Sequence, residues 1–302
     1  MLPLLYPPTN PMKLLTKFNL VLILIFGAGG VIIAQLAYSF LMQNARDQVL
    51  QQAELMMASA RSTRDYTSEQ IKPLLLKNPE HETNFLPQTV PAYSAVTVFN
   101  SMRKHYPDYS YREATLNPTN PVDRAEDWEA DIIRYFADHP GDKKLVGERD
   151  TPTGRQLYLA RPMAATASCM ECHSTPDMAP AAMIRKYGPN NGFGWNLDQI
   201  IAAQVVSVPM SVPMEVAGKA YHRLLFFLIA TFVITIVALD AALYLLVIRP
   251  LHKVSTAADR ISKGETELPE LEVRGKDEIS DVTASFNRMH VSLAKALKML
   301  EG

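Results

Sequence analysis

Two stretches of this 302-residue chain are almost empty of charge. Residues 18–45 contain no Asp, Glu, Lys or Arg, and residues 224–248 contain only Asp240. Each exceeds the roughly 20 residues that cross a bilayer as a helix. In hydrocarbon a helix is required, because every backbone polar group must find its partner within the segment. The chain is therefore expected to divide into a cytoplasmic N-terminus (1–17), a first transmembrane helix (18–45), an extracytoplasmic domain (46–223), a second transmembrane helix (224–248) and a cytoplasmic end (249–302). A cleaved signal peptide is the alternative for the first stretch, since Lys13 and Lys17 precede it. The run is about twice as long as the usual apolar core of such a peptide, which favours a retained anchor. Lys13 and Lys17 before the first span and Arg249 and Lys253 after the second favour both ends in the cytoplasm. Arg46, Lys219 and Arg223 on the other side oppose that asymmetry. Acidic and basic residues nearly balance, 31 against 30, so no basic field argues for nucleic acid.

The chain's two cysteines both lie in "ATASCMECHSTPDMAP", residues 165–180. A disulfide across two intervening residues constrains the unfolded chain little, so its structural value is small even outside the cytoplasm. Cys169, Cys172 and His173 instead make the C-x-x-C-H pattern of c-type haem attachment. The two thiols add to the two vinyl groups of one porphyrin, and the adjacent imidazole reaches the iron. One covalent haem c is expected, with Cys169 and Cys172 as thioethers and His173 as proximal ligand. Two alternatives remain. A closed zinc site needs a fourth ligand from elsewhere, and a thioredoxin-like dithiol needs a strand-to-helix setting in a βαβ unit, whereas the Ala/Thr/Ser-rich lead-in reads as loop. Candidates for the second axial position are Met57 or Met56, in "AELMMASARSTRDYTSEQ", then His81, His105, His139, Met163, Met178 and Met183; an open site is the remaining option. Arg161, Lys186 and Tyr187 are near enough in sequence to be propionate contacts.

Between the spans, residues 53–70 continue the first helix outward as a stalk. "AYSAVTVFNSMRKHY" reads as a helix and "DYSYREATL" as a strand. A helix is expected to start near Asp123 with Trp128, Ile132 and Tyr135 on one face. Alternating runs around Thr151 to Gly154 make a hairpin, "AAMIRKYG" is a short helix closed by Gly188, and residues 200–208 form a last apolar strand. This mixture is α+β, and a PAS-like sheet holding its cofactor in a pocket is the architecture it suggests. "RDYTSEQIKPLL", "VPAYSAVTVF", "YSYREATLNPTNPVDRAEDWE" and "CMECHSTPDMAPAAMIRKYGPNNGFGW" resemble the bacterial and cyanobacterial family of PAS-like c-type haem sensor domains, long catalogued as a domain of unknown function. The resemblance covers most of residues 53–214. It implies haem on Cys169 and Cys172, His173 as proximal ligand and a sensing role; with the two spans, the expected location is a bacterial inner membrane with this domain in the periplasm. Some soluble members use a cysteine as second ligand, which this chain cannot supply.

After the second span, Leu251, Val254, Ala258 and Ile261 step by three and four, as do Ile279, Val282, Phe286, Met289, Leu293, Ala296 and Leu300. Such seams bury themselves against other helices. With Pro250, a connector containing Gly264, Leu268, Leu271 and Val273, and "DEISDVTASFNRM", residues 249–302 resemble a HAMP domain, although Ser280 stands where the motif usually carries Gly. The resemblance implies an all-α parallel bundle formed by a homodimer that relays motion from a membrane helix. Asp240 is expected to face protein or water rather than lipid. No output sequence precedes Gly302, so the expected partner is a separate cytoplasmic protein such as a kinase or cyclase, or the chain is an incomplete member of a longer architecture. The reading is a haem sensor of redox state or of a small diatomic ligand, not an enzyme. A membrane-anchored cytochrome that only carries electrons is the rival, but it has no need of a two-helix relay.

Overall fold

The computed structural model describes residues 14–265 and 267–301, without the side chains of 298, 300 and 301. Lys13, the side chain of Leu300, and Gly302, which entered the sequence reading, lie outside the described residues. The chain forms two units, one of residues 38–221 and one of the described residues on either side. The first helix, α1, runs unbroken from Leu14 to Tyr66 and passes into a π-helical turn, Thr67–Ile71, and then α2, Lys72–Leu75. It contains the first uncharged stretch and the stalk, as the sequence predicts.

Within residues 38–221 follow α3 (Glu80–Thr83), α4 (Pro91–Met102), β1 (Ser110–Thr115), α5 (Asp127–Asp138), β2 (Leu145–Thr151), β3 (Gly154–Ala164), α6 (Ala167–His173), α7 (Ala181–Tyr187) and β4 (Ile200–Pro209). The strands form one antiparallel sheet in the order β1-β4-β3-β2. Alternation along each strand sends successive side chains to opposite faces. Leu157, Leu159, Val206, Val208 and Tyr111 face α4 and the stalk, packing on Val49, Ala53, Met57, Ala60, Ala95 and Phe99. Ala160, Ala203 and Val205 face the other way and take Ile132, Ile133 and Phe136 of α5. The stalk can lie on the sheet because its buried residues recur every three or four positions with mostly small side chains. Two ion pairs on the hairpin side hold it there, Arg46 with Glu148 at 2.9 Å and Glu54 with Lys144 at 2.8 Å.

The fold is α+β, as expected, with two local corrections. Helix α5 begins at Asp127, not near Asp123. Residues 121–123 are a separate 3-10 turn, because Arg124 leaves the helical region and the Ala125 N–H goes to the Thr115 carbonyl at 2.9 Å. Glu126 then caps α5 through a reciprocal box with Glu129. The lead-in to the cysteines is not a loop either: only Ala165 and Thr166 separate β3 from α6, with Thr166 as the cap. A strand does therefore feed the C-x-x-C helix, but in an antiparallel sheet rather than a βαβ unit.

In the second unit, α8 (Ser211–Leu243, its first turns belonging to the other unit) passes through a π-helical turn, Tyr244–Ile248, into α9 (Arg249–Ser262), and α10 covers Glu278–Glu301. Among the described residues, two helices, α1 and α8, are long and apolar enough to cross a membrane. They meet through Phe26 and Phe232, with ring centroids 5.9 Å apart, and through Asn19, whose amide donates to Asp240 at 2.9 Å. Asp240 thus faces protein, as expected of a carboxyl in an apolar helix. Helix α9 stops at Gly264, which adopts φ +96°. The connector is fixed by Asn287, whose side chain donates to the Leu271 carbonyl at 2.7 Å and accepts its N–H at 3.0 Å. Ser280 occupies the usual glycine position usefully: its hydroxyl donates to the Arg274 carbonyl at 2.6 Å. As a result α10 buries Ser280, Thr283, Phe286, Asn287 and His290 within its own chain, and the seam residues Val282, Met289 and Leu293 stay exposed. The connector's polar needs, more than the apolar seam, choose the inward face.

Candidate functional site

Helix α6 carries both cysteines three positions apart, hence on one face. Both thiols are free. Thr166 and Cys169 cap the helix start, the Thr166 N–H lying 3.4 Å from Sγ. Burial pushes the Cys172 thiol above its ordinary pKa, with Lys72 opposing and Glu171 adding to the shift. Thiolate chemistry is therefore not what this position favours.

His173 ends the helix and is held on three sides. Its Nδ1 lies 2.7 Å from the Gly192 carbonyl and 3.4 Å from the Thr119 hydroxyl. Trp195 stacks on the ring, centroids 4.0 Å apart and planes 13° from parallel. A carbonyl can only accept, so Nδ1 carries the proton and Nε2 presents its lone pair. Burial lowers the imidazole's pKa, the Gly192 bond opposing, so the neutral form is favoured. Among the described residues no hydrogen bond engages Nε2, and no three His, Cys, Asp or Glu side chains converge as a metal site. The two thiols and the imidazole thus do not close on one point, as a zinc site requires.

Next to this helix lies a polar row across the stalk face of the sheet. Glu113 of β1, Gln204 of β4 and Arg161 of β3 are cross-strand partners. Arg64, one more step along the stalk's buried stripe, pairs with Glu113, whose side chain is 4% exposed. Tyr111 donates to Glu113 at 2.6 Å and accepts from Gln204 at 3.0 Å. Burial and the neighbouring Glu113 raise the Tyr111 pKa, which keeps it a phenol donor. Burial lowers the Arg64 pKa, but Glu113 outweighs it and the net shift is upward. Arg161 Nε is buried with no hydrogen-bond partner among the described residues.

The other candidates scatter. Met57 is wholly buried in the stalk–sheet core and Met56 packs at its edge. Met163 shares a small apolar cluster with Met170 and Trp195, Met183 is buried and Met178 exposed. Buried His81 accepts the Leu86 N–H on Nδ1 at 3.4 Å, and exposed His139 stacks on Tyr135. His105 is exposed. On α7, Lys186 lies over the rings of Phe85 and Tyr187, which pack edge to face.

Residues 42–209, more than half of the chain, match the family model Tll0287-like. The chain belongs to the Tll0287-like family. Residues 242–295 match the HAMP domain, so one membrane protein joins a Tll0287-like domain to a HAMP domain. A solved structure titled "Crystal structure of the cyanobacterial heme-protein Tll0287" is 12% identical, covering 53% of this chain and 94% of that one, with a TM-score of 0.42. No curated protein matches. In the Tll0287-like domain, sequence reasoning found the cysteines and His173 but not Arg64, Asn117, Thr119, Gly192 or Trp195. Arg64 had a signal: it continues the 49-53-57-60 stripe of the stalk, where a lone charge requires a partner.

Proposed function

We propose that this protein is a membrane-bound haem c sensor, with haem joined to Cys169 and Cys172 and ligated by His173 Nε2. The observation that carries the reading is the imidazole itself: a neutral ring with Nδ1–H fixed on a backbone carbonyl and Nε2 left open is how a metal-ligating histidine is prepared. Two unbridged thiols on one face of the preceding turn fit the attachment. The unpartnered Arg161 Nε fits a propionate, and Lys186 and Tyr187 are the outer candidates for the same role. The solved relative is a haem protein by title, which agrees. Bound there, haem would supply a one-electron iron couple and a place for a diatomic ligand to bind.

What the chain's own residues do follows from their placement. Trp195 and the Gly192 carbonyl hold the imidazole, and Arg64 links the stalk to β1 beside Cys169. For a signal to pass, a change of charge or ligation at that site would have to favour one of two packings of the Arg64–Glu113 pair, because transmission requires such a difference. Helix α1 is continuous from Arg64 to the membrane, and α8 continues into α9, so both lead towards HAMP. The exposed seam of α10 is assigned to a second copy of the chain, and the output to a cytoplasmic partner. The Tll0287-like domain is assigned to the periplasmic side and the chain to the bacterial inner membrane, where cytochrome c maturation takes place. A simple electron carrier makes no use of the HAMP domain.

The test is expression of the full chain in a host that matures c-type cytochromes. The expected product has covalent porphyrin mass and a Soret band, and Cys169→Ala with Cys172→Ala abolishes the attachment. A mature protein without added porphyrin overturns the reading. Ready CO binding by the ferrous protein favours gas sensing, and refusal with reversible reduction favours redox sensing or electron transfer.

A further inference from the structure

The imidazole of His173 is aimed by a backbone carbonyl, and that backbone is held by a side chain far away in sequence. Gly192 adopts φ +83°, a conformation costly for any residue with a side chain. A Cβ there would stand 1.9 Å from the Thr119 hydroxyl and 2.8 Å from the Thr119 nitrogen. The 116–120 and 188–195 loops therefore touch backbone to backbone. Asn117 Oδ1 accepts the Gly192 N–H at 3.2 Å, and the Gly192 carbonyl accepts Nδ1–H of His173 at 2.7 Å. These two bonds engage the peptide groups on either side of one freely rotating Cα. The Gly194 N–H on the Ser174 carbonyl at 2.9 Å and the Trp195 N–H on the His173 carbonyl at 3.3 Å hold the loop after Gly192, and the Asn117 bond holds it before; without that tie the glycine is anchored on one side only and its carbonyl can shift off Nδ1–H.

We propose that Asn117 is a positioning residue for the proximal histidine: by holding Gly192, it keeps the carbonyl on Nδ1–H and so sets how strongly Nε2 donates to iron. The proposal rests on the haem reading of His173. A strong Nδ1–H···O=C bond gives the ring imidazolate character and stabilises ferric over ferrous iron, which lowers the reduction potential. Loss of the tie weakens that bond and raises the potential. The Thr119 hydroxyl, at 3.4 Å, is the weaker contact.

The experiment is a potentiometric titration of the full haem-loaded chain and its variants in detergent, with haem content and circular dichroism recorded for each. Asn117→Ala is expected to move the oxidised/reduced ratio on the order of tenfold towards reduced, an upward shift of about 59 mV for one electron. Asn117→Asp retains an acceptor oxygen and is expected at or below the wild-type potential. Asn120→Ala, which removes an Asx contact to Val122 in the same loop, is expected near wild type. An unchanged potential in Asn117→Ala overturns the proposal, as does an equal shift in Asn120→Ala, which would signal general loosening. If Asn117→Ala is not recovered folded, Asn117→Ser, too short to reach Gly192, carries the same expectation. A wild-type chain without covalent haem overturns the underlying reading instead, and the proposal with it.

Discussion

Glu129 is fully enclosed on the first turn of α5. One oxygen accepts the Glu126 N–H at 2.9 Å; the other lies 3.0 Å from Arg112 Nε, an ion pair without hydrogen-bond alignment. Burial raises its pKa above the ordinary 4.5, and neither the Glu126 bond nor Arg112 cancels this. Because the folded value lies above the unfolded one, the contribution to stability is complete below pH 4.5 and is lost as pH rises through the folded value. Glu129→Gln carries no charge to desolvate. Thermal unfolding of both proteins should therefore show wild type gaining on the variant as pH falls from about 7 to 4; a gap that stays constant or narrows counts against the burial account. At this scale the sequence was legible where chemistry is packed into adjacent positions. Cys169, Cys172 and His173 declare themselves by spacing. Asn117, Gly192 and Trp195 do not, because each acts through a contact with a residue far along the chain and carries no reactive group.

Among the elements, the stalk is the one whose surface changes character along its length. Its stripe on the sheet is Val49, Ala53, Met57 and Ala60, all dry, then Arg64, which meets Glu113, Tyr111 and Gln204. Arg64→Ala leaves the Glu113 carboxylate enclosed without its cation and is expected to cost about 3–5 kcal/mol. Arg64→Ala combined with Glu113→Gln should recover part of that loss in denaturant unfolding; additive losses would mean the two are not coupled. Helix and strand positions were readable because 3.6- and 2-residue patterns follow from burying one face. The start of α5 was not, since Pro121 and Asp123 look like helix openers. What decides is the bond from Ala125 to Thr115 of β1, a tertiary contact. The α10 seam was read correctly as apolar, but its direction depended on Ser280 and Asn287 binding the connector.

For the whole molecule, that outward seam is the surface proposed to meet a second copy of the chain. Val282, Met289 and Leu293 are 46%, 59% and 42% exposed in one chain, which suits a second helix in the same register. Leu293→Glu places a charge in that contact and should weaken dimerisation of the full chain at least about tenfold, since an unpaired charge resists burial. Sedimentation in detergent or cross-linking measures it; an unaffected dimer means that other surfaces hold the copies together. Finally, this chain has only two tryptophans. Trp195 lies flat against His173, while Trp128 sits with α5 under Arg149, whose guanidinium is 4.0 Å from the ring centroid. Indole emission is quenched by a nearby tetrapyrrole through energy transfer. On the proposed haem reading the protein would carry a built-in fluorescent gauge of that site: Trp195 reports, and Trp128 gives a second, separately placed lamp whose removal isolates the first.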